Sequence, residues 1–184
     1  VRTMPKATIV KMAGRAGGGG NEFAASCDMR FGVQGKTIIN QMEVPLGILP
    51  GGSGTQRLPR LVGRGRAMEI CLAGDDIDAE TCERWGYLNR IFDCAESMSD
   101  HVDALARRIA GWPSEAIALC KASINNAELP IEEGLLEEAY FFQQTLRTEG
   151  AQRNMRRALE VGLQTREGES RMGQLALDFI EATD

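Results

Sequence analysis

Four consecutive glycines, Gly17 to Gly20, stand between a β-prone run and a helix-prone run, and no other feature restricts the fold of this chain as much. Glycine reaches backbone conformations denied to other residues and leaves its N–H bare, so such a run at a strand-to-helix junction predicts a tight connection that a ligand can approach closely. Residues 7–12 are rich in β-branched side chains and closed by Gly14, which predicts a strand before the glycines. Residues 22–27 predict a short buried helix after them, starting near Gly20. Further short strands are predicted at 28–31, 37–39 and 87–91, and the order strand, helix, strand predicts parallel βα units.

The texture changes near residue 97, which divides the chain into an α/β core over 1–97 and a helical region over 98–184. Met98, Val102, Leu105, Ala106 and Ile109 fall on one helical face, as do Ile117, Cys120, Ile124 and Ala127. Ser114 is the expected N-cap of the second helix, and Pro130 precedes a third that carries Ile131, Leu135, Ala139, Phe142 and Leu146. Met172, Leu175, Ala176, Phe179 and Ile180 form a fourth such pattern. The stripes need a covering surface, either their own βα layer or another subunit. The highly charged stretch 150–171 reads as a solvated face or turn.

Charge and cysteine usage narrow the class. With 21 Lys and Arg against 26 Asp and Glu the chain carries a net charge of −5, which argues against nucleic acid and anionic membranes as partners. There is no apolar run long enough to span a bilayer, and residues 1–6 lack the hydrophobic stretch of a signal peptide. The five cysteines are an odd number, form no CxxC pair and lie in apolar stretches. They read as reduced, buried thiols of a cytoplasmic protein, with neither a disulfide framework nor a metal site. Length predicts one domain with a helical appendage.

The glycine clusters do not fit the common phosphate loops. Residues 14–20 lack the Gly-Lys-Ser/Thr ending and the G-x-G-x-x-G register. Residues 51–55 miss the nucleophile elbow, because Thr55 stands where glycine is needed, so Ser53 is a weak nucleophile candidate. His101, the only histidine, is expected on the polar side of a helix, which disfavours a Ser/His/Asp triad. Bare N–H groups at a helix start do form an oxyanion-stabilising device. Glu22 lies in the first turn of that helix, either as a working carboxylate or as a first-turn charge. Glu43 follows a short apolar strand, and two carboxylates beside an oxyanion site suit proton movement next to a thioester carbonyl. Arg57, Arg60, Arg64 and Arg66 form a basic run that reads as a solvated helix face or as an attraction for phosphates.

Two segments then carry a family resemblance. Residues 14–28, with the Gly18-Gly19-Gly20 triplet, Glu22 and Asp28, resemble the crotonase (enoyl-CoA hydratase/isomerase) signature. Residues 43–69, with Glu43, Gly47, Pro50, Gly51, Gly54, Arg57 and Gly63, are similar to the second signature of that family without a gap. Residues 72–80 and 85–91 resemble its turn, helix and closing strand.

The resemblance implies a repeated ββα spiral followed by a helical trimerisation region, in a homotrimer or a hexamer. It implies that the Gly19 amide forms half of an oxyanion hole for an acyl-CoA carbonyl, with Gly18, Gly20, Pro50 and Gly51 on the substrate. By the same resemblance Glu22 activates the water added at the β-carbon and Glu43 exchanges the α-proton. Both carboxylates together favour hydration of a 2-enoyl-CoA; isomerisation or another lyase reaction is the alternative, and a weakly catalytic acyl-CoA-binding or assembly module is a further one. Coenzyme A enters as the thioester substrate and no cofactor is implied. The family carries roughly another third of chain before the first strand, including the second oxyanion donor, whereas six residues precede it here; reduced activity is the expectation. Other departures are Gly17 in place of an apolar residue, Arg15 in place of an aromatic or small one, Met42 in place of proline, and one extra residue in the loop 32–40.

Overall fold

A computed structural model describes residues 1–170 of the chain. Backbone contacts divide it into two compact units, Thr8–Ala104 with the first two residues, and the helices from Leu105 onward with Thr3–Ala7.

The first unit is built from strand pairs. Strand β1 (Ile9–Met12) is followed by β2 (Arg15–Gly17) and helix α1 (Gly19–Ser26), and β3 (Met29–Val33) is followed by β4 (Ile38–Asn40). The first member of each pair joins one sheet and the second joins another. β1 and β3 run parallel with Ile9 opposite Met29, and β2 and β4 run parallel with Arg15 opposite Ile38. The repeating unit is therefore ββα, as the resemblance implies. Helices α2 (Gly54–Val62) and α3 (Arg64–Ala73) complete the second turn. Strand β5 (Ile77–Asp78) then pairs antiparallel with β4, and after α4 (Ala79–Arg84) strand β6 (Arg90–Phe92) extends the first sheet in parallel beside β3.

Sequence periodicity does not disclose β2 or β5. Both are short, and β2 lies inside the glycine-rich stretch where side chains give no alternation. An ion pair tethers them instead. Arg15 on β2 holds Asp76, just before β5, through both guanidinium nitrogens, and Asn40 Nδ2 on β4 donates to the same carboxylate at 3.0 Å. That gives the unexpected Arg15 a role in joining three strands.

The core of this unit takes Met12, Ala24, Ala25, Ile39, Leu58, Val62, Ile70, Cys82, Tyr87 and Leu88, all almost fully buried. Within it Arg30 is 5% exposed, and its guanidinium donates to the carbonyls of Tyr87 (2.8 Å), Cys27 (2.6 Å) and Ala24 (3.3 Å). Three carbonyls replace the water that a buried cation gives up. Asp28 accepts from Thr8 N (2.7 Å) and Thr8 Oγ1 (2.9 Å), fixing the start of β1 to the turn after α1. Helix α5 (Ala95–Ala110) begins in this unit and corrects one expectation: the His101 ring does not stand in a polar face but packs 5.4 Å from Phe31 and 5.1 Å from Phe92.

The second unit contains α6 (Ser114–Asn125), α7 (Ile131–Leu146), α8 (Glu149–Glu160) and α9 (Arg166–Ser170). Ser114 is not the N-cap: it is the first helical residue, Pro113 takes the capping position, and the Ser114 hydroxyl faces Glu115. Much of the charged stretch 150–171 is helical. Its helix α8 is capped by Thr148, whose Oγ1 accepts from Ala151 N at 3.2 Å, and among its charged residues it buries Ala158. The apolar pattern at 172–180 lies outside the described residues.

Candidate active site

Gly18 turns the chain from β2 into α1 with φ 53° and ψ −126°, a region open in practice to glycine alone. Its N–H is used by Asn40 O at 3.1 Å, and its carbonyl accepts the first intrahelical bond, from Glu22 N at 3.0 Å. The N–H groups of Gly19, Gly20 and Asn21 consequently have no acceptor within their own helix. A Cβ placed on Gly19 or Gly20 would meet nothing within 4 Å, so this helix start faces open space. The positive end of α1 adds to its pull on an anion.

Glu22 lies one turn into α1 and is 5% exposed. Its Oε1 accepts from Gly54 N at 2.7 Å, at the first turn of α2, so two helix starts converge on one carboxylate. The fit depends on absent side chains. A Cβ on Gly52 would collide with Glu22 Oε2, and one on Gly54 would stand 2.9 Å from Oε1 and 2.8 Å from Pro50 Cβ. Ser53 between them adopts φ 96°, and its hydroxyl lies 3.2 Å from that of Ser26. With His101, the only histidine, held by the phenylalanines, Ser53 has no imidazole partner for a Ser/His/Asp triad.

Glu43 opens the turn after β4, where Ile48 N donates to Glu43 O at 2.9 Å. Its Oε1 lies 2.9 Å from the point a Cβ on Gly18 would occupy, and its buried Oε2 makes no hydrogen bond. Glu43 thus packs on Gly18 while Glu22 stands one helical turn beyond it, which sets both carboxylates along the first turn of α1. Cys71, buried on α3, senses both: burial raises its thiol pKa most, and the charges of Glu43 and Glu22 raise it further.

The expected substrate contacts are spread unevenly. Pro50 is fully buried under Gly54, whereas Gly51 is exposed and lies beside Leu49 O, away from the carboxylates. The glycines that seat Glu22 are Gly52 and Gly54, which periodicity cannot single out within a run of glycines. Gln41, with 0% exposure, was also not foreseen. Its side-chain amide has no hydrogen-bonding partner, and Nε2 lies 3.1 Å from the Cβ position of Gly54, next to Glu22. A polar residue just past a buried strand, two positions on from Ile39 and so on the same inward face, is the signal that marks it. The basic run does not converge: Arg60, Arg64 and Arg66 are exposed along α2 and α3, and Arg66 lies over the Trp85 ring.

The ββα spiral thus sets Glu22 and Glu43 near the start of one helix, and these are group types that can polarise a carbonyl and move protons beside it. The chain belongs to the enoyl-CoA hydratase/isomerase family, whose sequence profile matches residues 1–164. It is 35% identical over 161 residues to the crotonyl-CoA hydratase of Syntrophomonas wolfei, covering 87% of this chain and 61% of that protein. With the mitochondrial enoyl-CoA hydratase of Pongo abelii it shares 34% identity over 151 residues, 82% of this chain and 51% of the other. The enoyl-CoA hydratase structure from Bacillus anthracis superposes with a TM-score of 0.83 at 29% identity, covering 87% of this chain and 62% of that one. A second, from Thermoplasma volcanium, gives 0.75 at 26% identity, with 84% and 61% covered. The fold is accordingly the crotonase fold. The chain spans about six-tenths of the length of the curated relatives it matches.

Proposed function

We propose that the protein adds water across the double bond of a 2-enoyl-CoA thioester. The observation that carries this reading is the seating of Glu22 and Glu43 along the first turn of α1, beside the open N–H groups of Gly19 and Gly20. In this reading the thioester carbonyl lies at Gly19 N–H, which stabilises the enolate oxygen as water attacks. Glu22, held by Gly54 N–H, orients the water and takes its proton. Glu43, with a free buried oxygen, delivers the proton to the α-carbon. Gly18 and Gly20 keep the main chain accessible; of the two further expected substrate contacts, Gly51 is exposed and Pro50 is fully buried.

The family resemblance extends the proposal to a homotrimer or hexamer. Exposed Leu135, Leu136, Tyr140 and Phe142 on α7 support self-association of the helical unit. Five free cysteines suit a reducing compartment such as the cytoplasm, although only Cys27, Cys71 and Cys82 are buried as expected, Cys94 being half-buried and Cys120 exposed on α6; no helix among the described residues is long and apolar enough to cross a membrane.

The test is loss of the conjugated-thioester absorbance of a short 2-enoyl-CoA on mixing with the chain. Glu22→Gln and Glu43→Gln are each expected to lower kcat by about 10²–10⁴ with little change in stability. Equal rates for wild type and Glu43→Gln would remove that residue from the mechanism. Proton exchange at the α-carbon that survives Glu22→Gln while hydration is lost separates the two roles.

A further inference from the structure

Tyr87, between α4 and β6, is 1% exposed and reaches both ends of α1. Its carbonyl accepts from Arg30 Nε at 2.8 Å, and the same guanidinium, 5.4 Å from the centre of the Tyr87 ring, serves the carbonyls of Ala24 and Cys27 at the C-terminal end of the helix. At the other end the Tyr87 hydroxyl donates to Asn21 Oδ1 in the first turn. Burial raises the pKa of that hydroxyl, so it remains a proton donor through the neutral range.

Asn21 is fully buried, and Nδ2 of its amide makes no hydrogen bond. A short amide side chain in a first helical turn readily turns back onto the backbone N–H of its own residue or of a near neighbour. Here those groups are the N–H donors of Gly19, Gly20 and Asn21, which have no acceptor within the helix. Among residues 18–21 only Asn21 carries a side-chain acceptor, so whatever holds Oδ1 decides whether these donors stay open. Without the Tyr87 hydroxyl the Asn21 amide would be buried with neither end paired, a costly state that rotation onto the bare N–H groups relieves.

We propose that Tyr87 is a positioning residue that keeps the start of α1 open: by drawing Asn21 Oδ1 into the core, its hydroxyl prevents the chain from capping its own Gly19, Gly20 and Asn21 N–H groups. The inference rests on the hydration reading for the carbonyl those donors would receive. A chain that capped itself would oblige the thioester to displace Asn21 first.

Residue-resolved amide exchange tests this without a thioester. In the unsubstituted chain the Gly19 and Gly20 amides are expected to exchange within about tenfold of the unfolded rate, Tyr87→Phe to slow at least one of them by about tenfold or more, and Asn21→Ala added to Tyr87→Phe to restore the fast rate. The Val33 amide, which donates to Thr37 Oγ1 at 2.8 Å in the core, reports the fold in each variant. Slow exchange in the unsubstituted chain overturns the proposal, as do unchanged exchange in Tyr87→Phe and slowing that persists in the double variant. Loss of Val33 protection in either variant overturns it too, since the pair would then hold the fold and not the helix start. In turnover of a short 2-enoyl-CoA, KM is expected to rise about fivefold or more in Tyr87→Phe and to return in the double variant, whereas damage from a void would persist there and overturn the proposal. Absence of turnover in the unsubstituted chain would remove the hydration reading alone, with amide exchange still deciding the role of Tyr87.

Discussion

At the scale of the residue, neighbouring glycines make different demands. Gly18 needs both its backbone angles and its missing side chain, since a Cβ would lie 2.9 Å from Glu43 Oε1. Gly18→Ala is expected to cost roughly 1–3 kcal/mol in urea denaturation and to lower kcat by displacing Glu43. Gly19 has ordinary angles and open space, so Gly19→Ala is expected to keep the stability of the parent while raising KM for the thioester. If both variants lose stability equally, the open helix start is not reserved for a ligand. Buried acids set the alkaline limit. Burial pushes the Cys82 thiol from 9.0 up to about 12, and burial raises the Tyr87 hydroxyl as well. A raised folded pKa means that the unfolded chain loses its proton first, so stability is intact below pH 9 and falls as pH climbs toward 12. Melting temperature is expected to decline over that window, and less steeply in Cys82→Ala.

At the scale of the element, the site depends on how α1 is held. Its N-terminus is fixed by Gly18 N–H on β4 and its C-terminus by Arg30, which reaches the carbonyls of Ala24 and Cys27 from β3. Arg30→Met would fill similar space yet leave those carbonyls without donors. A loss of roughly 3 kcal/mol in denaturation is expected, since each unmet buried polar group costs about 1–3 kcal/mol. A loss under about 0.5 kcal/mol would show that water substitutes for the guanidinium. Short strands β2 and β5 gain order from tertiary partners, the Arg15–Asp76 pair above all, because neither has the length to specify itself.

At the scale of the whole molecule, the relation between length and assembly matters most. The chain spans about six-tenths of its relatives, and α7 leaves Leu136 at 74% exposure with Tyr140 and Phe142 at 60% and 62%. Sedimentation is expected to give a mass three, or six, times the 20.1 kDa of the chain. Leu136→Glu is expected to shift it toward the single-chain mass. A chain that sediments alone at micromolar concentration would refute α7 as an association surface.

Sequence alone determined the strands with β-branched residues, the helices with regular apolar stripes, the glycine junction and the two glutamates within recognisable segments. These are local patterns, written in neighbours a few positions apart. Helix α8 stayed hidden because Arg153, Arg156 and Arg157 dominate its reading, and β2 because glycine carries no side-chain alternation. Only the tertiary structure decided what Glu22 and Glu43 rest against. Gly54 N–H reaches Glu22 across 32 positions of chain, and Gln41 gains meaning only where that approach occurs. Distance in space between residues far apart in sequence is fixed by packing, and no spacing rule along the chain encodes it.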